Sequence, residues 1–463
     1  MQYLFEEVGS LDRRCYEQFH LSEEILMEHA ADGMADFIVS EFEAGSSVCI
    51  VCGPGNNGAD GIVLARLLHE HHDVLLVLPF GAKSEMCRLQ LKRAEAIGVH
   101  TAETPQPCDV LVDALFGSGF SRAFDDDTRS LMRLMNALGG FKLACDMPTG
   151  LHSDGALEAD TFRADLTLTM GALKRGMFSD AAKDVVGEIG VVDLGVPREI
   201  YEGESDWMLL DNDDLILPFR AQEDAHKGSY GHLGIICGEK EGAAVIAGSA
   251  ALRFGAGLVT LISNEQLGLP YELMQSHLLP HTATALALGM GLGQEFAEHE
   301  LRSLLDHDLP LVVDADLFAH PMLLELLERQ DIVLTPHPKE FTTLLRRCGI
   351  ADIDIATLQA NRFEYVEAFA KAYPDSVLLL KGANVLIAAG GKFFVNPHGS
   401  NVLAKGGSGD VLAGLIGALL AQGYSPQDAA IHASLAHTAA AAAYEGNNYA
   451  LTPFDLIGSL ATL

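Results

Sequence analysis

The stretch KGGSGDVLAG, residues 405–414, sets Lys405, Gly406, Gly407, Gly409 and Asp410 directly ahead of the apolar run VLAGLIGALLA. A glycine-rich turn entering a helix presents free backbone N–H groups, and these neutralise phosphate oxygens. An aspartate at its edge accepts the proton of an attacking hydroxyl. Together they supply the parts for phosphoryl transfer to an alcohol. The bland alternative is a turn with Asp410 as a helix N-cap.

Other polar clusters also end apolar runs. GPGNNGADG, residues 53–61, follows VCIVC and opens a helix, which suits an anion or a close ligand. It is neither the usual dinucleotide fingerprint nor a Walker loop. VDALFGSGFSR contributes Asp113, and CDMPTG contributes Asp146 and Thr149. Asn57, Asp113 and Thr149 offer three oxygens with a single carboxylate, a set for a weakly charged cation rather than for zinc. Asp146 is either a proton acceptor or a loop cap. Lys174 and Arg175 follow a strand in TMGALKRG; a solvating role is the default, and a phosphate contact the alternative. Further along come the glycine turn GMGLG, Asp314 and Asp316 in VVDAD, His337 between two prolines in LTPHPKEF, and Lys381 in LLLKGANVLI. His432 and His437 read as ordinary helix positions.

These groups must be held by regular elements. The first half alternates apolar runs (VCIVCG, VLLVLP, DVLVDALFG, FKLACDMPTG, DLTLTMGA) with helical patterns. Apolar strands with intervening helices predict a mostly parallel sheet covered on both faces. Ser22 is placed to cap the leading helix, with Glu23 and Glu24 in its first turn. An acidic, irregular segment at residues 201–224, with the only tryptophan, marks a boundary, and a second α/β series follows. Ligands of such sheets sit beyond the C-terminal strand ends, where the polar clusters fall.

A chain of 463 residues that is 49% hydrophobic and 20% charged has material for two sizeable cores. Its net charge of −34 argues against nucleic-acid or anionic-membrane partners. The N-terminal MQYLFEEVGS has acid where a signal peptide needs base, and the apolar stretches are short or interrupted, so a cytoplasmic protein is expected. Cys49 and Cys52 form a CxxC, but in a strand positions three apart face opposite sides, so core cysteines are expected. His69, His71 and His72 read as a solvated helix end.

The first set of motifs resembles the NAD(P)H-hydrate epimerase domain. KGSYGH, GMGLG, DAD, TPHPKE, KGANVLI and GGSGDVLAG resemble the ADP-dependent (S)-NAD(P)H-hydrate dehydratase domain. The order is that of bifunctional repair enzymes. The resemblance implies a Rossmann-like three-layer sandwich over residues 1–205 and a ribokinase-like α/β sandwich over residues 206–463. It implies that the first interconverts R and S hydrates of NADH and NADPH. The second would dehydrate the S hydrate with ADP and Mg²⁺, releasing AMP and phosphate. Asn56, Asn57, Gly58, Ala59 and Asp60, then Gly117, Ser118, Gly119, Phe120, Ser121, Arg122 and Ala123, and Asp146 would contact the hydrate in the epimerase. Asn57, Asp113 and Thr149 would hold K⁺. In the dehydratase, Ala243, Gly291, His337 and Asp410 would meet the hydrate. Lys381, Gly382, Ala383, Asn384, Val385 and Gly409 would hold the nucleotide. Asp410 and Asp146 are the catalytic candidates, and a homo-oligomer is the family habit.

Three departures stand out. NNGADG carries Ala59 for a usual glycine, DMPTG carries Thr149 for serine, and GMGLG carries Met290 for proline. Ala59 adds a methyl in a loop read as approaching phosphate. The rival readings are a ribokinase-like kinase of a vitamin-precursor alcohol, for which GGSGD serves equally, and a nucleotide-binding regulator with an inactive first domain.

Overall fold

The computed structural model describes every residue except Ser121. It divides into two compact units, Gln2–Trp207 and Met208–Leu463, with Met1 grouped with the second.

Among the described residues of the first unit, seven strands form one sheet in the order His100–Ala102, Asp73–Val77, Ser47–Cys52, Val110–Ala114, Phe141–Cys145, Leu166–Met170, Glu188–Val192. Every pairing is parallel. Side chains alternate along Ser47–Cys52: Val48, Ile50 and Cys52 enter one core and Cys49 and Val51 the other. Helices Glu23–Glu41, Asn56–Leu68 and Glu85–Ala96 supply the first core, and Met132 and Met135 of Asp126–Ala137 supply the second. A three-layer α/β/α sandwich results. The CxxC cysteines are thus buried on opposite faces, as a period of two requires. Ser22 does cap its helix, accepting from Ile25 N.

The second unit's sheet runs Lys392–Asn396, Val385–Ala389, Val377–Leu380, Ile332–Leu334, Leu311–Val313, Ala285–Leu288, His232–Ile236, Leu258–Ile262, Met274–Ser276. It is parallel from Val377–Leu380 onward and antiparallel across the first three strands. The helices Ser408–Ala421 and Glu241–Arg253 lie side by side, and Gly414 lets them close: a Cβ there would meet Ala247 O at 2.2 Å. From Val411 to Ala421 every residue of the first is buried, which explains an apolar run without polar periodicity. No helix is long and apolar enough to cross a membrane among the described residues.

Candidate functional sites

In the first unit, five strand ends and three helices enclose a cavity of about 580 Å³. Asn56, Asn57, Asp60, Gly117, Ser118, Gly119, Phe120, Arg122 and Asp146 line it. Gly58, Ala59 and Ala123 do not. Gly58 packs on the Gly53 backbone, Ala59 lies in the core with no exposed surface, and Ala123 faces solvent. Its inward-facing position on the helix turns the Ala59 methyl away from any ligand, correcting the expected obstruction. Ser121 lies outside the described residues.

Asp146 ends the strand Phe141–Cys145 with φ +70°, a left-handed backbone that aspartate tolerates better than most residues. Its Oδ2 accepts from Ser118 N at 3.0 Å and its Oδ1 from Met170 N at 3.3 Å. Lys174 Nζ lies 2.6 Å from Oδ1. Burial pushes the carboxyl up, but the Lys174 charge and hydrogen bond outweigh it, so Asp146 is held below its ordinary value. Lys174 is 1% exposed and also donates to Thr169 Oγ1 at 2.7 Å and Met170 O at 3.3 Å. Lys174 is therefore neither a solvating residue nor a phosphate contact, and burial beside a carboxylate is the reason. Arg175 is buried too, pairing with Glu6 at 3.1 Å and stacking on Trp207.

Beside Asp146, the fully buried Asp113 takes Thr149 N at 2.7 Å, Thr149 Oγ1 at 2.8 Å and Leu115 N at 3.2 Å. Burial lifts it to about 6 against those hydrogen bonds. A Cβ on Gly117 would stand 2.7 Å from Asp146 Oδ2 and 2.9 Å from Asn57 Oδ1, so a side chain there would push into both. Rings add a flat wall: Phe116 and Phe120 stack at 5.0 Å, and the Arg122 guanidinium lies over Phe116.

Sequence reasoning missed the wall made by Val8, Asp12 and Tyr16, which line the cavity from Gly9–Gln18 and the residue before it. Their spacing of four was the available signal, since such residues share a helix face. Asp12 accepts from Tyr201 Oη at 2.7 Å, and burial lifts its carboxyl.

The second site sits where five segments meet. Lys381, just beyond Val377–Leu380, donates its backbone N–H to Pro336 O and places Nζ 2.7 Å from Asp314 Oδ1. A Cβ on Gly409 would come 3.2 Å from that Nζ. The helix Ser408–Ala421 starts after Gly407, whose φ of +91° and closeness to Pro453 require glycine. Asp410 is therefore the third helical residue and not an N-cap. Burial and the Asp314 charge lift it to about 6, with Lys381 working against the rise. Gly291 and Ala243 adjoin, 3.3 Å from an added Cβ to the methyl. Lys381, Gly382, Ala383 and Asn384 form the link into Val385–Ala389.

His337 is more regular than its prolines suggested. It caps the helix Pro338–Arg347, its Nδ1 accepting from Lys339 N and Glu340 N, while Glu340 Oε2 accepts from His337 N at 2.8 Å. The spacing H-P-K-E was the signal for this reciprocal cap. His437 departs from its expected ordinary role: it is buried, and its Nε2–H donates to Ser408 O at 2.9 Å, bracing the glycine turn from behind. Burial depresses it to about 4, so it braces as a neutral ring. Asp314, noted only as a strand-end acid, proves to be the partner of Lys381.

Two family models match: one described as NAD(P)H-hydrate dehydratase over residues 233–461, the other as YjeF-related protein N-terminus over residues 23–176. The chain is 43% identical to the bifunctional NAD(P)H-hydrate repair enzyme Nnr of Helicobacter pylori, covering 100% of both. It is 35% identical to that of Coxiella burnetii, covering 100% of this chain and 99% of the other. A solved ADP/ATP-dependent NAD(P)H-hydrate dehydratase from Bacillus subtilis, co-crystallised with ATP/Mg²⁺, aligns over 53% of this chain and 92% of its own, with 30% identity and a TM-score of 0.45.

Proposed function

The chain belongs to the family of bifunctional NAD(P)H-hydrate repair enzymes, and from that premise we propose that it restores hydrated NADH and NADPH in two separate sites. Residues 1–205 interconvert the R and S hydrates. Residues 206–463, read as ribokinase-like, dehydrate the S hydrate with ADP.

In the dehydratase, Asp410 takes the proton of the hydrate's hydroxyl, and that oxygen receives the β-phosphoryl group of ADP, releasing AMP. Phosphate is then expelled by the ring nitrogen's lone pair, and loss of a proton from the adjacent carbon restores the double bond. The glycine-turn N–H groups and Lys381 offset phosphate charge. Lys381, Gly382, Ala383, Asn384, Val385 and Gly409 hold the nucleotide, and Ala243, Gly291 and His337 the hydrate. Mg²⁺ supplies charge neutralisation to the nucleotide phosphates, and Asp314 is the carboxylate beside Lys381 that would meet it. The observation that carries this reading is Asp410 at the start of a glycine-led helix, lifted to about 6 and standing beside Lys381 and Asp314.

In the epimerase, Asn56, Asn57, Asp60, the loop from Gly117 to Arg122 and Asp146 hold the hydrate, with Asp146 as base. K⁺ would be held by Asn57, Asp113 and Thr149. The fit rests on Asp113, buried with no ion pair among the described residues, and on two neutral oxygens from flanking segments, Thr149 Oγ1 at 2.8 Å from its carboxylate and Asn57 Oδ1 beside Gly117. Such an ion would offset the buried charge and tie three strand-end segments together. A cytoplasmic homo-oligomer completes the reading, and light scattering tests the assembly.

The experiment supplies a mixed-epimer preparation of NADH hydrate with ADP, Mg²⁺ and K⁺ and follows the absorbance of reduced nicotinamide. Full recovery of both epimers is expected. No ADP-dependent recovery, with phosphorylation of small alcohols instead, would favour the kinase reading.

A further inference from the structure

Four carboxyl side chains, Asp12, Glu23, Asp60 and Asp146, line the cavity of the first unit, and they are not equivalent. Asp146 is pinned by Lys174 and two backbone N–H groups. Asp12 accepts from the Tyr201 hydroxyl, and Glu23 from the Asn56 amide. Asp60 receives no hydrogen bond or ion pair among the described residues. The charges that bear on it, Asp146, Asp12 and Glu23, are all negative. Of the nearby cations, Lys174 is committed to Asp146, and Arg122 lies over the Phe116 ring. Burial first, and then those three carboxylates, raise Asp60 well above the ordinary carboxylate value. The two carboxyls of one cavity are thereby shifted in opposite directions, the arrangement that assigns an acid and a base.

We propose that Asp60 is the general acid of the first unit, giving its proton to the hydroxyl that leaves the hydrated ring carbon, while Asp146 accepts the proton of the water that returns. The proposal rests on the epimerase reading and deepens it. The C–O bond breaks, the hydroxyl departs with the Asp60 proton as water, and the ring nitrogen's lone pair closes a C=N bond. The ring is then a cation inside a cavity lined by carboxylates, an environment that favours it. Water adds to the opposite face, the electron pair returns to nitrogen, and the surplus proton goes to Asp146. Exchange with solvent returns the proton to Asp60, and no electrons are gained or lost overall. Tyr16, which also lines the cavity, is lifted to about 12 by burial and stays protonated throughout.

The test uses the full chain without ADP, the separated R hydrate of NADH, and water enriched in ¹⁸O. Epimer ratio is followed by NMR and label by mass spectrometry. In wild type each epimerisation is expected to bring in ¹⁸O, with kcat/KM falling as pH rises through the Asp60 value. Asp60→Asn is expected to slow epimerisation by roughly 10²–10³-fold, to change KM by less than about threefold, and to lose the high-pH decline. Asp60→Glu should restore part of the rate. An Asp60→Asn chain that epimerises at the wild-type rate, or wild-type epimerisation without label, overturns the proposal and leaves the epimerase reading standing. A wild type that does not interconvert the epimers removes that reading itself, before any variant is made. Thermal melting monitors folding; should Asp60→Asn unfold, the wild-type pH profile and the Asp60→Glu rate decide, and the absence of a high-pH decline overturns the proposal.

Discussion

Asp146 and Asp410 are both aspartates beyond the strands of a largely parallel sheet, each near a lysine, yet their charges are poised in opposite senses. Asp146 has Lys174 at 2.6 Å, and that lysine is 1% exposed. Asp410 has a lysine too, but Lys381 is spent on Asp314 at 2.7 Å, and Asp314 itself repels the Asp410 charge. The first carboxyl is therefore held low and the second lifted to about 6. A lysine does not set an aspartate's pKa by proximity alone; what counts is whether a second carboxylate has claimed it. The first is a lysine-paired carboxylate that faces the cavity and is favoured in its ionised form. The contested one is a carboxyl that ionises near 6 beside a lysine, the properties that the proposed phosphoryl transfer asks of a base and of a phosphate contact.

The largest effect that would break this contrast is on chemistry. Asp410→Asn is expected to lower ADP-dependent recovery of NADH from the S hydrate by roughly 10³-fold, with R/S interconversion unchanged. Equal loss of both activities would show that the two sites are not independent.

Next in size is Lys174→Met, which leaves Asp146 buried without its cation. A destabilisation of about 3–5 kcal/mol is expected in urea unfolding at pH 7. Because the folded-state value of Asp146 is depressed, the pair's contribution is fully present above the unfolded value of about 4 and is lost as pH falls through the folded value. The deficit of the variant should therefore shrink in acid. A pH-independent deficit would mean that packing, not the ion pair, is lost.

A third measurement sharpens the second carboxyl. With Asp410 near 6, dehydratase kcat/KM should fall about tenfold per pH unit below that value and level off above it. The linkage has the opposite sign to that of Asp146. A raised carboxyl costs stability above its folded value, and the cost disappears as pH falls toward the unfolded one. Asp410→Asn should accordingly raise Tm most above pH 6 and not at all near pH 4.

The smallest effect expected is at His437. Removing its hydrogen bond to Ser408 O by His437→Ala should cost about 1 kcal/mol, read as a roughly fivefold rise in KM for ADP with kcat nearly unchanged. Partial recovery in His437→Gln would tie the effect to the donor rather than to helix packing.

Much of this was legible before folding. Alternating apolar runs and helical patterns determine two parallel-sheet units, because a strand buried on both faces has no polar side to show. The glycine loops mark the cavity-facing strand ends, because there the chain needs close approach, as of Gly53 to Leu115 and Gly58 to Gly53, and free N–H groups at a helix start. The cysteines of the CxxC fell on opposite faces by period alone. Tertiary structure decided the electrical state of those residues. Lys174 read as a surface base and is a buried counter-ion. Ala59 read as an obstruction and points into the core. Asp12 showed only a helix-face spacing in the sequence and joins the site because its helix packs over the cavity, and His437 is a brace only because two helices lie side by side. The reason is common to all four. Periodicity reports which way a side chain leaves its own element, whereas its charge and contacts depend on what other elements bring within a few ångströms. Those partners are distant in the chain: Lys174 lies 28 residues from Asp146 (174 − 146), and Tyr201 lies 189 residues from Asp12.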